Sequence, residues 1–332
     1  MRAPGPDLLL VSETVAALIP QWYGAGARVE GEMAVSLRPW SVHLLPVVVT
    51  PAGSIPLVVK IPLWEEAPDL GSALAAGPQQ DTREEYRALE AIAAVVIGCG
   101  DPRITAVHPV AYVEELNAVV TERLDSRPLR RVGRRLWLRS APAVGAWLRI
   151  FHDQVGGAGP AEFHPMLVED RLVALESAAR TGPRDLREGV SGIASLTATL
   201  AGAGCRVGVA HGDMGPSNVL ITPDTSVAVI DPNRALGPVE QDPAKLVATL
   251  YTGRRRLLSG VPAGEERDRF EQRLFEGYGE ADGDVYRLFR GLAVAERWVD
   301  VEASAEGWAR RAALLPARRV LSAELAGCLA AG

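Results

Sequence analysis

Residues 209–233 read VAHGDMGPSNVLITPDTSVAVIDPN and place one histidine, three aspartates and two asparagines in an otherwise apolar, turn-rich stretch. The β-branched segments NVLI and VAVI flank TPDTS, in which the Pro-Asp pair suits a tight turn. We predict an antiparallel hairpin with a four-residue loop, Pro223–Ser226, which sets Asn218 directly opposite Asp231. Directly opposed residues have Cβ atoms about 5 Å apart. The sequence therefore predicts an amide oxygen beside a carboxylate at the open end of the hairpin.

Oxygen ligands of this kind suit a small hard cation such as Mg²⁺, whose coordination shell nucleotide phosphates would complete. Asp213 precedes Asn218 by five residues, in a loop that contains Gly212, Gly215 and Pro216. It is not needed as a third ligand, so its carboxylate can accept a proton from an attacking hydroxyl group. His-x-Asp-x-x-x-x-Asn, followed by an aspartate after a short strand, is the arrangement of kinase catalytic loops. A polar surface turn is the alternative interpretation of the same residues.

A lysine in an upstream strand favours the kinase interpretation. The segment PLVVKIP carries Lys60 inside an apolar run, where an unpaired ammonium group would be costly. The helical pattern DTREEYRALEAIAAVV, residues 81–96, follows and can supply a carboxylate partner. Glu85 shares the apolar face of this helix, so we expect it to point toward the sheet that bears Lys60.

The choice between Glu85 and Glu84 stays open at this point. Thr82-x-x-Glu85 is also a capping box, which would use Glu85 at the start of its own helix. Asp81-x-x-Glu84 offers the same motif one residue earlier and would leave Glu85 available for the lysine. We favour Glu85 as the partner on the packing argument.

Composition excludes several classes of protein. The chain of 332 residues is 48% hydrophobic, carries a formal charge of −6 and has a pI near 5.5, which argues against a general nucleic-acid binder. Its three cysteines are far apart and form no CxxC pair, so we expect a reducing cytoplasm. We see no signal-peptide order at the N-terminus and no apolar stretch of the roughly 18 residues that a membrane span requires.

The order of secondary structure predicts an α+β fold. The first third is rich in β-branched runs with one helix, and the pattern is mostly helical from about residue 140 onward. We place the boundary near residues 123–127, which divides the chain into residues 1–124 and residues 125–332.

On the motifs HGDMGPSN and VIDPNRA the chain resembles the aminoglycoside phosphotransferase family, a small-molecule branch of the protein-kinase-like fold. The resemblance extends from about residue 28 to 250 and implies a bilobal protein-kinase-like fold, with a small β-rich nucleotide-binding lobe and a larger helical lobe for the acceptor. It implies that Asp213 is the catalytic base and that Asn218 and Asp231 hold Mg²⁺. Lys60 would grip the α- and β-phosphates of ATP or GTP.

The resemblance also assigns supporting residues. It implies that His211 supports the loop, that Asp242 in QDPAKLV braces the site from below, and that Arg234 lies near the transferred phosphate. The segment TERLD resembles the interlobe hinge, in which the backbone of Thr121 and Arg123 would bond the purine base. An edge strand that runs into a loop would have the same sequence. A Gly-x-Gly-x-x-Gly motif is missing between residues 24 and 58, which leaves the phosphate-covering residues unassigned.

The acceptor is predicted only as a small molecule with a hydroxyl group: an aminoglycoside-like antibiotic, a sugar or a natural-product intermediate. A metabolic sugar or nucleoside kinase with a non-cationic acceptor is one alternative, and a catalytically silent nucleotide-binding regulator is another. Seven arginines at 123–139 could attract an acidic acceptor or an anionic membrane surface, or form a solvated face. Trp298, Asp300 and Glu302 could line an acceptor pocket, although helix packing is the preferred interpretation. Both a monomer and a homodimer are compatible with the sequence.

Overall fold

The chain divides into two units, one formed by Met1–Gly100 with Thr105–Asp125 and the other by Asp101–Ile104 with Ser126–Gly332. The computed structural model describes residues 6–38, 41–62, 80–279, 283–304 and 314–330. Assignment of nucleotide binding to the first part of the chain and acceptor binding to the second stays a prediction.

The first unit contains two described helices and seven strands. In chain order they are α1 (Pro6–Tyr23), β1 (Arg28–Val29), β2 (Ala34–Arg38), β3 (Ser41–Leu45), β4 (Val47–Thr50), β5 (Gly53–Pro62), α2 (Gln80–Gly98), β6 (Pro109–Val113) and β7 (Ala118–Glu122).

Strand β5 organises the sheet of the first unit. It pairs antiparallel with β4 along its first half and with β3 along its second half. Its central residues, Leu57–Lys60, also pair antiparallel with β7. Leu57, Val59 and Ile61 alternate along β5 and are buried in one hydrophobic cluster. Because successive side chains point to opposite faces of a strand, Lys60 points to the other face, opposite that cluster.

Helix α1 is an element that the sequence reasoning missed. Val11, Val15 and Ile19 recur at helical spacing, are fully buried, and belong to the same cluster as the apolar face of β5. The N-terminal run was considered only as a possible signal segment. Its apolar positions instead contribute to the core of the first unit.

The second unit combines eight described helices with six short strands. They are β8 (Arg127–Pro128), α3 (Arg134–Ile150), β9 (Gly159–Glu162), α4 (Glu169–Ala179), α5 (Arg184–Thr199), β10 (Gly204–Ala210), β11 (Val219–Ile221), β12 (Val227–Val229), β13 (Ala235–Pro238), α6 (Gln241–Tyr251), α7 (Arg254–Ser259), α8 (Glu265–Tyr278), α9 (Gly283–Ala303) and α10 (Leu315–Leu329).

Two small sheets position the loop that joins β10 to β11. Strand β10 lies between β13 and β9, and β11 lies between β12 and β8. Four of these strands were not predicted, because the sequence reasoning found only the hairpin of β11 and β12 among the helices. The expected change to helical structure is otherwise confirmed, since α3 and the later helices occupy most of the chain after residue 134. Among the helices that the structure describes, none is both long and apolar enough to cross a membrane.

Candidate functional site

Lys60 of β5 forms an ion pair with Glu85 of α2. Its Nζ lies 2.9 Å from Oε1 and 3.1 Å from Oε2 of the glutamate. The side chains are only 21% and 15% exposed, so the ammonium group is held in one orientation. The preference for Glu85 over Glu84 is confirmed as a contact. The alternative capping box, Asp81-x-x-Glu84, begins at a residue whose side chain lies outside the described part of the chain.

The segment TERLD, residues 121–125, in which the hinge is expected, begins inside strand β7. Thr121 pairs with Val58 of β5 and also with Pro109 of β6, so β7 is not an edge strand at this point. The amide of Arg123 donates to the carbonyl oxygen of Pro56 at 2.8 Å. A contact from Arg123 to a purine base would therefore use its carbonyl oxygen, because the donor is already committed within the sheet.

Asp242 fastens the loop that follows β10. It is fully buried at the start of α6, and its oxygens accept hydrogen bonds from the amides of His211 (2.6 Å) and Gly212 (2.9 Å). The same carboxylate accepts a hydrogen bond from Nε2 of His152 at 2.8 Å. Gly212 has φ +78, and a Cβ there would lie 3.2 Å from Cβ of Ala235, so glycine suits this turn. The Asp242 carboxylate thus fixes the backbone of the two residues that precede Asp213, the proposed base.

Burial and hydrogen bonding set the ionisation of the two buried groups. Burial opposes ionisation of Asp242, but the hydrogen bonds from His152 and from the His211 amide outweigh it, so the pKa of Asp242 lies below its ordinary value. Burial lowers the pKa of the His211 ring, and the negative charge of Asp242 offsets this only in part. The neutral ring fits its contacts: Nε2 donates to the Ile230 carbonyl at 3.0 Å, and Nδ1 accepts from the Asp213 amide at 3.3 Å.

Asp213 extends from this fastened loop, and both of its carboxylate oxygens are held. Oδ1 lies 2.8 Å from Nζ of Lys245, and Oδ2 accepts a hydrogen bond from Nδ2 of Asn218 at 3.1 Å. The Asp213 side chain is nevertheless 53% exposed, so a hydroxyl group can approach it from solvent. An oriented and accessible carboxylate has the chemistry of a general base.

Lys245 is a site residue that the sequence reasoning missed. Its Nζ bridges the Gly212 carbonyl oxygen (3.1 Å) and the Asp213 carboxylate. It follows Asp242 by three residues on α6, so both side chains reach the loop from the same helix face. That spacing was the available signal, since QDPAKLV shows the lysine beside a residue already assigned to the loop.

The hairpin loop after β11 is one residue shorter than predicted. The amide of Thr222 donates to the Ser226 carbonyl oxygen at 3.1 Å, so the loop consists of Pro223–Thr225. Thr225 has φ +70, the left-handed conformation that closes three-residue hairpin loops. Asp224 accepts hydrogen bonds from the hydroxyl groups of Thr222 and Ser226, which lower the pKa of its carboxyl group and stabilise the tight turn.

The shorter loop shifts the register, and the prediction that Asn218 directly faces Asp231 is wrong. Val219 pairs with Val229, and the amide of Ile230 donates to the carbonyl oxygen of Asn218 at 3.0 Å. Asp231 comes one residue later, where its φ of +59 turns the chain at the end of the strand. The two residues lie at the same end of the hairpin but do not form a cross-strand pair. A one-residue slip has this effect because strand side chains alternate with period two.

Asn218 retains an oxygen suited to a cation. Its Nδ2 donates to the backbone oxygen (2.9 Å) and to the carboxylate of Asp213, and both of these atoms can only accept. Oδ1 is therefore the Asn218 atom left for a cation, and an amide oxygen is a ligand that Mg²⁺ accepts. Among the described residues, no group of three or more His, Cys, Asp or Glu side chains forms a complete metal cluster. A cation bound to Asn218 would need further ligands, such as phosphate oxygens, to complete its coordination shell.

The segment after Asp231 is tied to the base of the loop. The amides of Asn233 and Arg234 both donate to the His211 carbonyl oxygen, at 2.8 and 3.1 Å. Arg234 has φ +48 and an exposed side chain. Its role near a transferred phosphate stays a prediction.

The remaining candidates behave as structural or surface groups. All seven arginines of residues 123–139 are exposed, as the solvated-face alternative requires. Trp298 is buried and donates to Glu302 at 3.1 Å, while Glu302 forms a bidentate ion pair with Arg318. Helix packing, the preferred interpretation, therefore accounts for Trp298 and Glu302, and Asp300 is exposed on α9.

A sequence profile described as the Phosphotransferase enzyme family (APH) matches residues 47–292. A search of curated proteins gave no significant match.

Solved structures share the fold over nearly the whole chain. The choline kinase LicA from Streptococcus pneumoniae is 13% identical with a TM-score of 0.53, covering 97% of this chain and 100% of that one. The AMP-bound complex of spectinomycin phosphotransferase APH(9)-Ia is 12% identical with a TM-score of 0.54, covering 94% and 97%. A glucosamine kinase is 15% identical with a TM-score of 0.51, covering 95% and 97%. At these identities the likeness concerns the fold, and the expected protein-kinase-like α+β architecture is confirmed.

Proposed function

The chain belongs to the phosphotransferase enzyme family, and we propose that it transfers the γ-phosphoryl group of ATP or GTP to a hydroxyl group of a small molecule. The observation that carries this proposal is the environment of the Asp213 carboxylate. Its carboxylate is accessible, is oriented by Asn218 and Lys245, and extends from a loop fastened by the buried Asp242. A polar surface turn has no need of a fully buried carboxylate that fixes its backbone.

In the proposed reaction Asp213 orients the acceptor hydroxyl group and takes its proton. The acceptor oxygen then forms a bond to the γ-phosphorus while the bond between that phosphorus and the β–γ bridging oxygen breaks, which releases the nucleoside diphosphate. Such phosphoryl transfers depend mainly on positioning and on neutralising charge. The two hydrogen bonds to Asp213 support this role, because they fix the carboxylate before the acceptor arrives.

Asn218 and Asp231 are the residues that would hold Mg²⁺. When bound, the cation would neutralise charge on the terminal phosphates of the nucleotide. Asn218 contributes the amide oxygen that its own contacts with Asp213 leave available. Asp231 directly follows Ile230, whose amide makes the last hydrogen bond between the two strands of the hairpin.

Lys60 would bind the α- and β-phosphates. A lysine on a strand, held by a helix glutamate, matches the ion pair that protein kinases require for activity. The contact with Glu85 at 2.9 Å supports this assignment, because it presents the ammonium group in a fixed position.

The proposal is tested by the binding of Mg²⁺-nucleotide and by its consumption. We expect Mg-ATP or Mg-GTP to raise the melting temperature of the wild type, since binding to the folded state stabilises it. Asp231→Asn should weaken nucleotide affinity by about tenfold or more in the presence of Mg²⁺, equal to about 1.4 kcal/mol. Without Mg²⁺ the two proteins should differ little.

Asp224→Asn is the matched control, because it removes a carboxylate from the other end of the same hairpin and should leave nucleotide affinity unchanged. A screen of hydroxyl compounds for nucleotide consumption then separates a kinase from a silent regulator. Equal Mg-nucleotide affinity in Asp231→Asn and wild type would contradict the metal assignment, and binding without turnover on any acceptor would favour the regulator.

A further inference from the structure

A cavity of about 240 Å³ lies in the second unit next to the fastened loop. Its walls come from α4, α6 and α9 and from Gly212 of the loop. Sites for drug-sized ligands measure roughly 300–1,000 Å³, so this cavity suits a group of about monosaccharide size. The fully buried ring of Phe289 forms part of one wall.

Lys245 connects this cavity to the proposed base. It lines the cavity, and its Nζ lies 2.8 Å from Oδ1 of Asp213. Gly212, which precedes Asp213 in the chain, lines the same cavity, so a molecule held there lies beside the loop that carries the carboxylate. Gln241, one turn before Lys245 on α6, adds an amide group to the same wall.

Arg171 on α4 adds a second positive charge to the cavity wall, and only two of its three guanidinium nitrogens donate hydrogen bonds among the described residues. Its Nε and Nη2 donate to the two carboxylate oxygens of Glu296, at 2.7 and 3.0 Å. The guanidinium carbon lies 5.7 Å from the centroid of the Phe289 ring, which holds the group against the wall. Within the described residues, Nη1 of Arg171 makes no hydrogen bond, so two N–H groups remain for a ligand.

Both carboxylates of the described cavity wall, Asp242 and Glu296, already have hydrogen-bond donors as partners. Asp242 is fully buried and accepts hydrogen bonds from two loop amides and from His152. Each oxygen of Glu296 accepts one hydrogen bond from Arg171. A cationic ligand would have to share the Glu296 carboxylate with Arg171, and the two like charges would then repel each other at close range. The described wall thus offers N–H donors without a hydrogen-bond partner, while each of its carboxylates already has a cationic or N–H partner.

We propose that the acceptor is a polyhydroxyl compound of monosaccharide size that carries a carboxylate, with Arg171 binding the carboxylate while a hydroxyl group meets Asp213. This inference rests on the proposed function and names its acceptor class. It makes Arg171 a specificity-determining residue, and it sets this chain apart from the similar structures whose names give choline, spectinomycin and glucosamine. A carboxylate suits the planar guanidinium group, which matches it in geometry.

The test compares probes that share one skeleton and differ in charge. Glucuronate, glucose and glucosamine present the same pyranose ring with an anionic, a neutral and a cationic substituent, and gluconate, glycerate and choline widen the panel. Each probe is added to the full chain at up to ~10 mM, and the shift in melting temperature reports binding whether or not transfer occurs. Consumption of Mg-ATP and Mg-GTP with each probe is measured in parallel.

We expect at least one hydroxy-carboxylate to raise the melting temperature of the wild type, and we expect the cations glucosamine and choline to leave it unchanged. Arg171→Met should remove that stabilisation, and for a carboxylate that is phosphorylated it should raise KM about tenfold or more with little change in kcat. It also exposes the Glu296 carboxylate, so Arg171→Met should gain measurable binding of glucosamine or choline. Arg318→Met is the matched control, because Arg318 forms the same bidentate pair with Glu302 away from the cavity wall.

Each outcome bears on one of the two proposals. Stabilisation or turnover by choline or glucosamine in the wild type that equals or exceeds that of the carboxylates overturns this inference and leaves the phosphotransferase function intact. Failure of all three carboxylates to bind, or binding that is equal in wild type and Arg171→Met, also overturns it. Arg171-dependent binding of a carboxylate without nucleotide consumption supports the inference while counting against the proposed function.

Discussion

The loop that carries Asp213 is held by defined hydrogen bonds within the second unit. Asp213 receives one hydrogen bond from Asn218 and one from Lys245, and the loop backbone beneath it is held by Asp242. His211 is buried and its ring contacts use both nitrogens, so it supports the loop and does not reach an acceptor. These contacts separate the group proposed for chemistry from the groups that position it.

Lys245 gives the first prediction at this scale. Lys245→Met keeps most of the side-chain volume but removes the contact that fixes Oδ1 of Asp213 and the Gly212 carbonyl oxygen. We expect kcat to fall roughly 10- to 100-fold, equal to about 1.4–2.7 kcal/mol of transition-state stabilisation. Nucleotide affinity should stay within about twofold of the wild type. Steady-state kinetics with the best acceptor, beside nucleotide titrations, would show whether the loss falls on kcat; an unchanged kcat would refute a positioning role.

Some of these residues could be found from the sequence, and others depend on geometry that it leaves open. The ion pair of Lys60 with Glu85 was predictable, because strand alternation and helix periodicity each point one side chain at the other. The hairpin register was not, since TPDTS closes equally well over three or four residues and only the left-handed Thr225 decides. Lys245 was missed because its partner in the loop lies 32 residues earlier, so its spacing from Asp242 on α6 was the only sequence signal for the contact.

At the scale of elements, close packing of α3 against α8 holds part of the second unit together. Gly145 of α3 lies where an added Cβ would come within 2.0 Å of the Leu274 carbonyl oxygen. Gly277 of α8 lies where an added Cβ would come within 1.8 Å of the Pro142 carbonyl oxygen. Both neighbours are backbone atoms, so the two helices approach as closely as they do only because these positions lack a side chain.

Gly277→Ala should therefore destabilise the protein, even though alanine favours helices. The methyl group forces the helices apart, which costs typically about 1–3 kcal/mol and lowers Tm by several degrees. Gly283→Ala on α9 is the control, because an added Cβ there meets nothing within 4 Å. Thermal unfolding of the two variants is the measurement, and equal melting temperatures would contradict the close approach of α3 and α8.

The elements that the sequence reasoning found and missed differ in what stabilises them. Helix α2 has strong periodicity of its own and was predicted within a few residues, and the later helices were predicted as a mostly helical region after about residue 140. Strands β9 and β10 carry glycine-rich segments, GPAE and GCRVGVA, that resemble loops until a partner strand pairs with them. Helix α1 was missed because its apolar stripe was judged by length alone and not by spacing.

At the scale of the whole molecule, the family match and the fold differ in extent. The matching profile covers residues 47–292, whereas α1 lies before it and α10 after it. Both helices contribute buried residues to the cores of their units, Val15 and Ile19 in the first and Val320 and Leu321 in the second. They are parts of the folded units, and the residues proposed for chemistry all lie within the family match.

The central claim is that Asp213 deprotonates the acceptor in a phosphoryl transfer. Single-turnover transfer from Mg-nucleotide, measured for the wild type and Asp213→Asn with the acceptor that gives the fastest consumption, tests it most directly. Because a positioned general base contributes roughly 10²- to 10⁴-fold, we expect the transfer rate to fall by that factor while nucleotide affinity stays within about twofold of the wild type. An Asp213→Asn variant that transfers the phosphoryl group at the wild-type rate would contradict the account.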